Sequence, residues 1–566
     1  MKRSLLVGLG VLAWGLASAV AAGKADHVVV VVWDGMRPDF VTPQYTPALY
    51  ELARKGTFFA RNHSVYVSTT EVNGTALATG MHPEHSGILA NTQYRPEFNW
   101  LGAYGTEALD VVRRGDLASQ GHYLQAPTVA ETLHAAGFPT MVAGAKPIAL
   151  LHDRTPKKIS DAEKQSVTLF RGLTLPRSVL DTLVRARDIG PFPGTEASDG
   201  ADSAGSAPRP RRGAAAAAAS VPSTNSPAPI SGPPSAAGSG SANSIDSWTT
   251  KALARGLWRN GVPKFSLLWL SEPDAAQHAT GVGSEAALTA LQSSDDQLAA
   301  VIKALEEKNV LETTDIFVVS DHGFSTIGRG PDVVESLKRV KFTAARQLQN
   351  PEAGDVLVDS LGGSIFFYVF EHDAGVVEKL VTYLQGTDFA GVIFSALPME
   401  GTFPLSEVHL AAKDGAPDVA ISMRWTSEDN ENGAPGILTV ADGVKGRGSH
   451  GSLSRFDLHN TLIAAGPDLK KGFVSDLPSG NIDVAPTILS ILGVAPKAPM
   501  DGRVLSEALI GQEQVSIKPT ENTIEASREL GFITWHQYLK ITRVGEAVYF
   551  EEGNGRVRLK QSSISD

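Results

Sequence analysis

Five consecutive valines run from Val28 to Val32, closed by Trp33 and followed at once by Asp34-Gly35. A run with no polar alternation cannot face water on either side. Its β-branched residues favour an extended backbone and disfavour a helix. The segment therefore reads as a strand buried on both faces, which requires a largely parallel sheet covered by helices above and below. Two further apolar runs end in the same way. Lys264–Leu270 leads into Glu272 and Asp274, and Asp315–Ser320 leads into Asp321-His322. Open α/β sheets gather their ligands beyond the carboxyl ends of the strands, so three buried strands deliver carboxylate or imidazole groups to one edge.

Helix-spaced apolar residues occupy Thr46–Lys55, Thr128–Ala136, Glu285–Glu307 and Asp483–Leu492. Their alternation with the strands predicts an α/β fold of three layers, α/β/α, around a mostly parallel central sheet. Residues 330–440 add a smaller subdomain, with a strand at Gly363–Phe370. Residues 196–244 are Ala, Ser, Pro and Gly almost throughout, with six alanines from Ala214. That composition cannot bury enough surface to offset ordering, so the segment is expected to be a disordered insert. It divides a main domain spanning 23–195 and 245–510, and residues 511–566 are expected to form an extension packed on that domain.

Lys2 and Arg3, the apolar stretch Leu5–Leu16 and the small residues before Gly23 form a signal-peptide pattern, with cleavage expected after Ala22. The apolar stretch is too short for a membrane span, so a periplasmic or secreted protein without a stable span is expected. The chain has no cysteine, which excludes disulfides, thiolate metal sites and a Cys nucleophile. A net charge of −11 argues against a nucleic-acid backbone as partner. Oligomeric state is not legible.

Asp34, Asp274, His278, Asp321, His322 and His450 are oxygen and imidazole ligands of the kinds that suit two zinc-like divalent ions. Asp274 and His278 are four residues apart, on one side of a helical turn. Each residue alone is a weak signal. Their order and surroundings are stronger: WDGMRPD, TEVNGTALATGMHPEHSGI, EPDAAQHATG, VVSDHGF, GSHGS, and later NIDVAPTILSILG with MDGRVL. Together these motifs resemble the alkaline phosphatase superfamily, in its type I phosphodiesterase/nucleotide pyrophosphatase branch, over Asp26 to about Arg503.

The resemblance implies an alkaline-phosphatase-like fold and a two-zinc phosphoric-ester hydrolase. One ion would be held by Asp274, His278 and His450. The other would be held by Asp34, Asp321 and His322 with the Thr70 oxygen. Thr70 is implied as nucleophile because the family places it nine residues before the Thr of an LxTG motif, here Leu77-Ala78-Thr79-Gly80. Position also favours Thr70, since it would open a helix whose N–H groups favour an anionic oxygen. Asn73 is implied as a phosphate-oxygen donor, and Lys146 as a substrate-binding cation. Monoesterases of the superfamily add an Arg two residues after such a Lys, where this chain has Ile148. A phosphodiester or nucleotide pyrophosphate is therefore the expected substrate. A phosphomonoesterase or phosphonoacetate-type hydrolase is the alternative, and a catalytically dead phosphoester-binding protein a distant one. Sulfatases require a Cys or Ser motif that is missing. His63, His82 and His85 are expected to have core or surface roles, His459 to be structural, and the pair Asp295-Asp296 to lie on a solvated helix face.

Overall fold

The computed structural model describes residues 23–154, 165–193, 239–511 and 518–560. The leader and residues 196–238 of the expected insert lie outside the described residues. His27–Trp33 forms the strand expected of it, with only His27 not fully buried. It lies between Thr314–Val319 and Phe265–Leu270, parallel to both. Thr140–Gly144 and then Val167–Phe170 continue the parallel sheet on one side. Leu462–Ala465 pairs antiparallel on the other side. Short strands at Thr57–Phe59, Phe473–Ser475 and Leu173–Leu175 complete nine.

The valine run accounts for both helical layers. Strand side chains alternate between faces, so Val28, Val30 and Val32 enter one apolar core with Val129, Leu133, Val484 and Ile488. Val29, Val31 and Trp33 enter the opposite core with Leu49, Leu291, Leu298 and Val301. Trp33 thus packs in the interior. The helix Glu285–Glu307 has the bounds read from sequence, and Pro47–Lys55, Val129–Ala135 and Val484–Ile491 fall within one residue of theirs.

Two readings change. Asp295 was expected on a solvated face, yet it is buried and accepts the N–H groups of Ala48 and Leu49 at 2.8 and 2.9 Å. It caps the N-terminus of a neighbouring helix, whose own Thr46 makes no side-chain cap. Residues 239–244, assigned to the insert, belong to the helix Ser239–Lys251.

The smaller subdomain is a six-stranded sheet drawn from residues 344–404 and 419–423, with the helix Ala374–Gln385 against it. A four-stranded sheet returns the chain to the main domain. In it Gly448–Ser449 pairs antiparallel with Ser325–Arg329, the strand just after Asp321-His322. This pairing brings His450 back beside His322 across more than a hundred residues of sequence. Thr520–Leu530, Ile533–Val544 and Ala547–Leu559 form an antiparallel meander. It packs on the smaller subdomain through Gln537, which bonds the backbone of Ile393 in both directions. No helix among the described residues is long and apolar enough to cross a membrane.

Candidate metal centre and nucleophile

Parallel register sets the site. Val32 is level with Val319 and Trp33 with Leu270, so Asp34, Asp321 and the turn before Asp274 emerge together. The N–H of Asp274 bonds the carbonyl of Asp34 at 3.0 Å. Gly35 has φ +73°, and a Cβ there would meet the Phe324 ring at 2.9 Å and the Asp274 backbone at 3.2 Å. Its N–H donates to Asp321 Oδ1. Only glycine fits between the two carboxylates in this conformation.

All six expected ligands converge. Asp34, Asp321 and His322 form one group whose ligand atoms lie within 4.8 Å of one another, as do Asp274, His322 and His450. His278 Nε2 is 3.2 Å from both Asp274 Oδ1 and His450 Nε2, which joins it to the second group. The imidazole rings of His322 and His450 stack with centroids 3.6 Å apart, and His322 Nε2 is 3.2 Å from Asp321 Oδ2.

The donor atoms fit cations. Each of the three imidazoles gives its Nδ1–H to a backbone carbonyl: His278 to Gly448, His322 to Gly323 and His450 to Ser68. A carbonyl can only accept, so in the neutral ring each Nε2 carries a lone pair, and all three point inward. Asp34 Oδ1, Asp274 Oδ1 and Asp321 Oδ2 are buried without a hydrogen-bond partner among the described residues. Three orphaned carboxylate oxygens beside three inward imidazole nitrogens are costly unless positive charge, as protons or metal ions, lies between them. For this reason burial, which lowers His278, is outweighed by Asp274, which raises it above its usual range.

The electrostatics agree. Burial, reinforced by Asp321, pushes the Asp34 carboxyl well above the usual range, and burial pushes Asp321 up to about 7. Burial acts the same way on Asp274, but Lys146 and His278 outweigh it and hold this carboxyl well below the usual range. Burial and the neighbouring His322 and His278 hold His450 neutral, the form that binds metals.

Lys146 reaches this centre. Its Nζ bridges Asp34 Oδ2 at 2.8 Å and Asp274 Oδ2 at 2.7 Å. Ile148 does not reach it: the side chain is fully buried in the core against the helix Thr70–Thr79. A Cβ on Gly74 would lie 2.5 Å from Ile148 Cγ1.

Thr70 is the first residue of the helix Thr70–Thr79 and its Oγ1 lies 3.3 Å from His322 Nε2. Thr69, not Thr70, is the N-cap, and its side chain makes no cap bond. Asn73 departs from expectation. Its Nδ2 lies 3.1–3.3 Å from the carbonyls of Val65, Val67 and Thr69, and its Oδ1 accepts from the Val65 N–H and from Asn481. This amide is saturated, and it ties the approach strand to the helix. Sequence reasoning missed Asn91. Its Oδ1 accepts the Glu71 N–H at 3.1 Å, beside Thr70, and its Nδ2 has no protein acceptor among the described residues. Twenty-one residues separate it from Thr70, so no local pattern marks it. Glu71, which is buried, and the part-buried Glu107, likewise missed, form a carboxyl pair near Lys146; desolvation pushes Glu107 up to about 7.

Residues 28–453 match the family model for type I phosphodiesterase / nucleotide pyrophosphatase. Among curated proteins the chain is similar to rat ectonucleotide pyrophosphatase/phosphodiesterase family member 3, 23% identical over 42% of this chain and 25% of that protein. It resembles human family member 1 at 24% identity, over 42% of this chain and 24% of that protein. It also resembles mouse bis(5'-adenosyl)-triphosphatase, at 28% over 15% of this chain and 19% of that protein. The matches thus span about a quarter or less of these relatives' lengths. Among solved structures, murine ectonucleotide pyrophosphatase/phosphodiesterase 5, as an inactive variant in complex with AMP, superimposes with a TM-score of 0.55 at 15% identity, over 85% of this chain and 99% of that one. This likeness establishes the alkaline-phosphatase-type α/β architecture with an added subdomain.

Proposed function

This chain belongs to the type I phosphodiesterase / nucleotide pyrophosphatase family, and we propose that it is an exported two-zinc hydrolase of phosphodiesters or nucleotide pyrophosphate bonds. The observation that carries this reading is the convergence of six imidazole and carboxylate groups, one of which, His322, lies 3.3 Å from the Thr70 hydroxyl, with three carboxylate oxygens left unpartnered among the described residues.

Asp274, His278 and His450 would hold one ion, and Asp34, Asp321 and His322 the other. Bound zinc supplies Lewis-acid charge for phosphate oxygens and lowers the pKa of a coordinated hydroxyl. Within the chain, His322 and the start of the helix orient the Thr70 oxygen. That oxygen gives up its proton and bonds to phosphorus as the ester oxygen opposite departs and takes up a proton, giving a phosphothreonine that still carries the substrate's other ester group. Water then cleaves the phosphothreonine and restores the hydroxyl. Asn91, anchored through its carbonyl oxygen, is positioned to donate its N–H to a non-bridging oxygen as charge develops. Lys146 offers one further cation at the edge of the ligand set.

The substrate class follows from charge. A monoester dianion carries one more charge than a diester, and Ile148, at the sequence position where the resemblance expects a second cation, is buried in the core and supplies none. Each charge-assisted contact forgone is worth about 1.5–3 kcal/mol, or roughly one to two decades in rate. AMP bound to the murine neighbour, and the adenosyl phosphates in the relatives' names, favour a nucleotide on one side of the linkage. With zinc-loaded protein, kcat/KM for bis(p-nitrophenyl) phosphate should exceed that for p-nitrophenyl phosphate. A preference of tenfold or more for the monoester replaces this reading with a phosphatase.

A further inference from the structure

The catalytic centre is not the only place where imidazole and carboxylate atoms converge. His63 and His459 are directly paired across two short antiparallel strands, so their side chains leave the same face. Their rings meet edge to face at 4.6 Å. The meander strand Ala547–Leu559 brings Glu551 over this pair. Glu551 Oε2 is 3.2 Å from His63 Nε2 and 3.2 Å from His459 Nε2, and the three ligand atoms form a third group within 4.8 Å. We propose that His63, His459 and Glu551 form a structural metal site, zinc-like in ligand chemistry, that fastens the C-terminal meander to the catalytic domain.

Tautomer, orphaned atom, geometry and charge support this site. His63 Nδ1 donates to the Ser479 carbonyl at 2.9 Å, which in the neutral ring leaves a lone pair on Nε2. That Nε2 belongs to a residue only 1% exposed and makes no hydrogen bond among the described residues. In that tautomer it faces the Glu551 carboxylate oxygen lone pair to lone pair at 3.2 Å, a contact that either a proton on Nε2 or a metal ion between the two atoms relieves. Donors at ~2.0–2.1 Å from a tetrahedral zinc lie ~3.3 Å apart, close to both observed nitrogen–oxygen separations. The other carboxylate oxygen, Oε1, is committed to Arg61 at 2.6 Å and Thr542 at 2.7 Å, which fixes Oε2 toward the imidazoles. Arg61 is shared with Glu521, so one guanidinium faces two carboxylates and one negative charge is left over. His459 is partly exposed and gives solvent a route in. Tyr549 stacks on His63 from the same strand as Glu551 and closes the other side.

Zinc content tests the proposal by difference, so its outcome does not depend on the catalytic reading. Full-length protein is stripped with a chelator, reloaded with zinc, desalted and analysed by mass spectrometry for metal per chain. His459→Ala and Glu551→Gln should each hold one zinc fewer than the parent, with all six catalytic ligands intact. Glu551→Gln keeps an acceptor for Arg61 and Thr542 and offers an amide N–H to the imidazoles, so it should fold. Its melting temperature should rise less than the parent's on zinc addition. Equal zinc content in the parent and both folded variants overturns the proposal, as does an undiminished zinc response of the melting temperature in Glu551→Gln.

Discussion

At the scale of single residues, two amides near Thr70 have opposite jobs. Asn73 is completely buried and spends all its hydrogen-bonding capacity on the backbone of residues 65–69 and on Asn481. Asn73→Ala should cost about 1–3 kcal/mol in denaturant unfolding, because several buried partners lose their bonds at once. Asn91→Ala removes a donor with no protein acceptor, so it should lower kcat by about tenfold or more with little change in unfolding. If the two phenotypes exchange, the assignment of the phosphate donor is wrong. Thr70→Ala keeps all six carboxylate and imidazole ligands in place. It should lose at least about a thousandfold in turnover while metal content, read by mass spectrometry, stays near that of the parent.

At the scale of elements, packing of the helix that carries Thr70 decides the sign of a glycine substitution. Gly74→Ala in an exposed helix would stabilise by about 1 kcal/mol. Here the new methyl would meet Ile148 at 2.5 Å, in a core with no slack. Overpacking costs about 1–3 kcal/mol, so destabilisation should win, and Ile148→Ala should partly rescue it in the double variant. Thermal unfolding of the three proteins decides. The strand Thr314–Val319 carries a second test at its other end, away from the site. Burial pushes the Asp315 carboxyl up to about 8, and one of its oxygens has no partner among the described residues. The unfolded carboxyl ionises near ~4. Between these values the unfolded chain releases a proton that the folded chain keeps, so this group lowers stability as pH rises from about 4 to about 8. Asp315→Asn removes the titration. The melting temperature of the variant relative to the parent should climb across that window and level off above it. A pH-independent difference refutes the account.

At the scale of the whole molecule, metal and fold should be linked. Each saturating site adds about 1.4 kcal/mol of stability per tenfold rise in free metal above its Kd. Melting temperature should therefore rise with zinc, and His450→Ala should lower the slope and abolish most activity. An unchanged slope would remove His450 from the ligand set. The sequence by itself determined the sheet, because five valines in a row have only one low-energy place, between two apolar layers. It also determined which side chains gather at the carboxyl ends of the strands, since Asp34, Asp274, Asp321 and His322 lie at or just beyond strand ends and follow from strand direction alone. Periodicity placed the helices well for the same reason, as each needs one continuous apolar stripe. Tertiary structure decided what depends on partners distant in the chain. Asp295 caps a helix almost 250 residues away, and Asn73 is saturated while Asn91 is not. Ile148 is turned into the core while Lys146, two residues earlier, reaches the carboxylates. His63, His459 and Glu551 meet across three strands, none of which carries a local signal of the others. Side-chain periodicity reports which face of an element is apolar. It carries no information about which polar atoms on other elements will complete a hydrogen bond or a coordination shell, and only the packing of those elements supplies it.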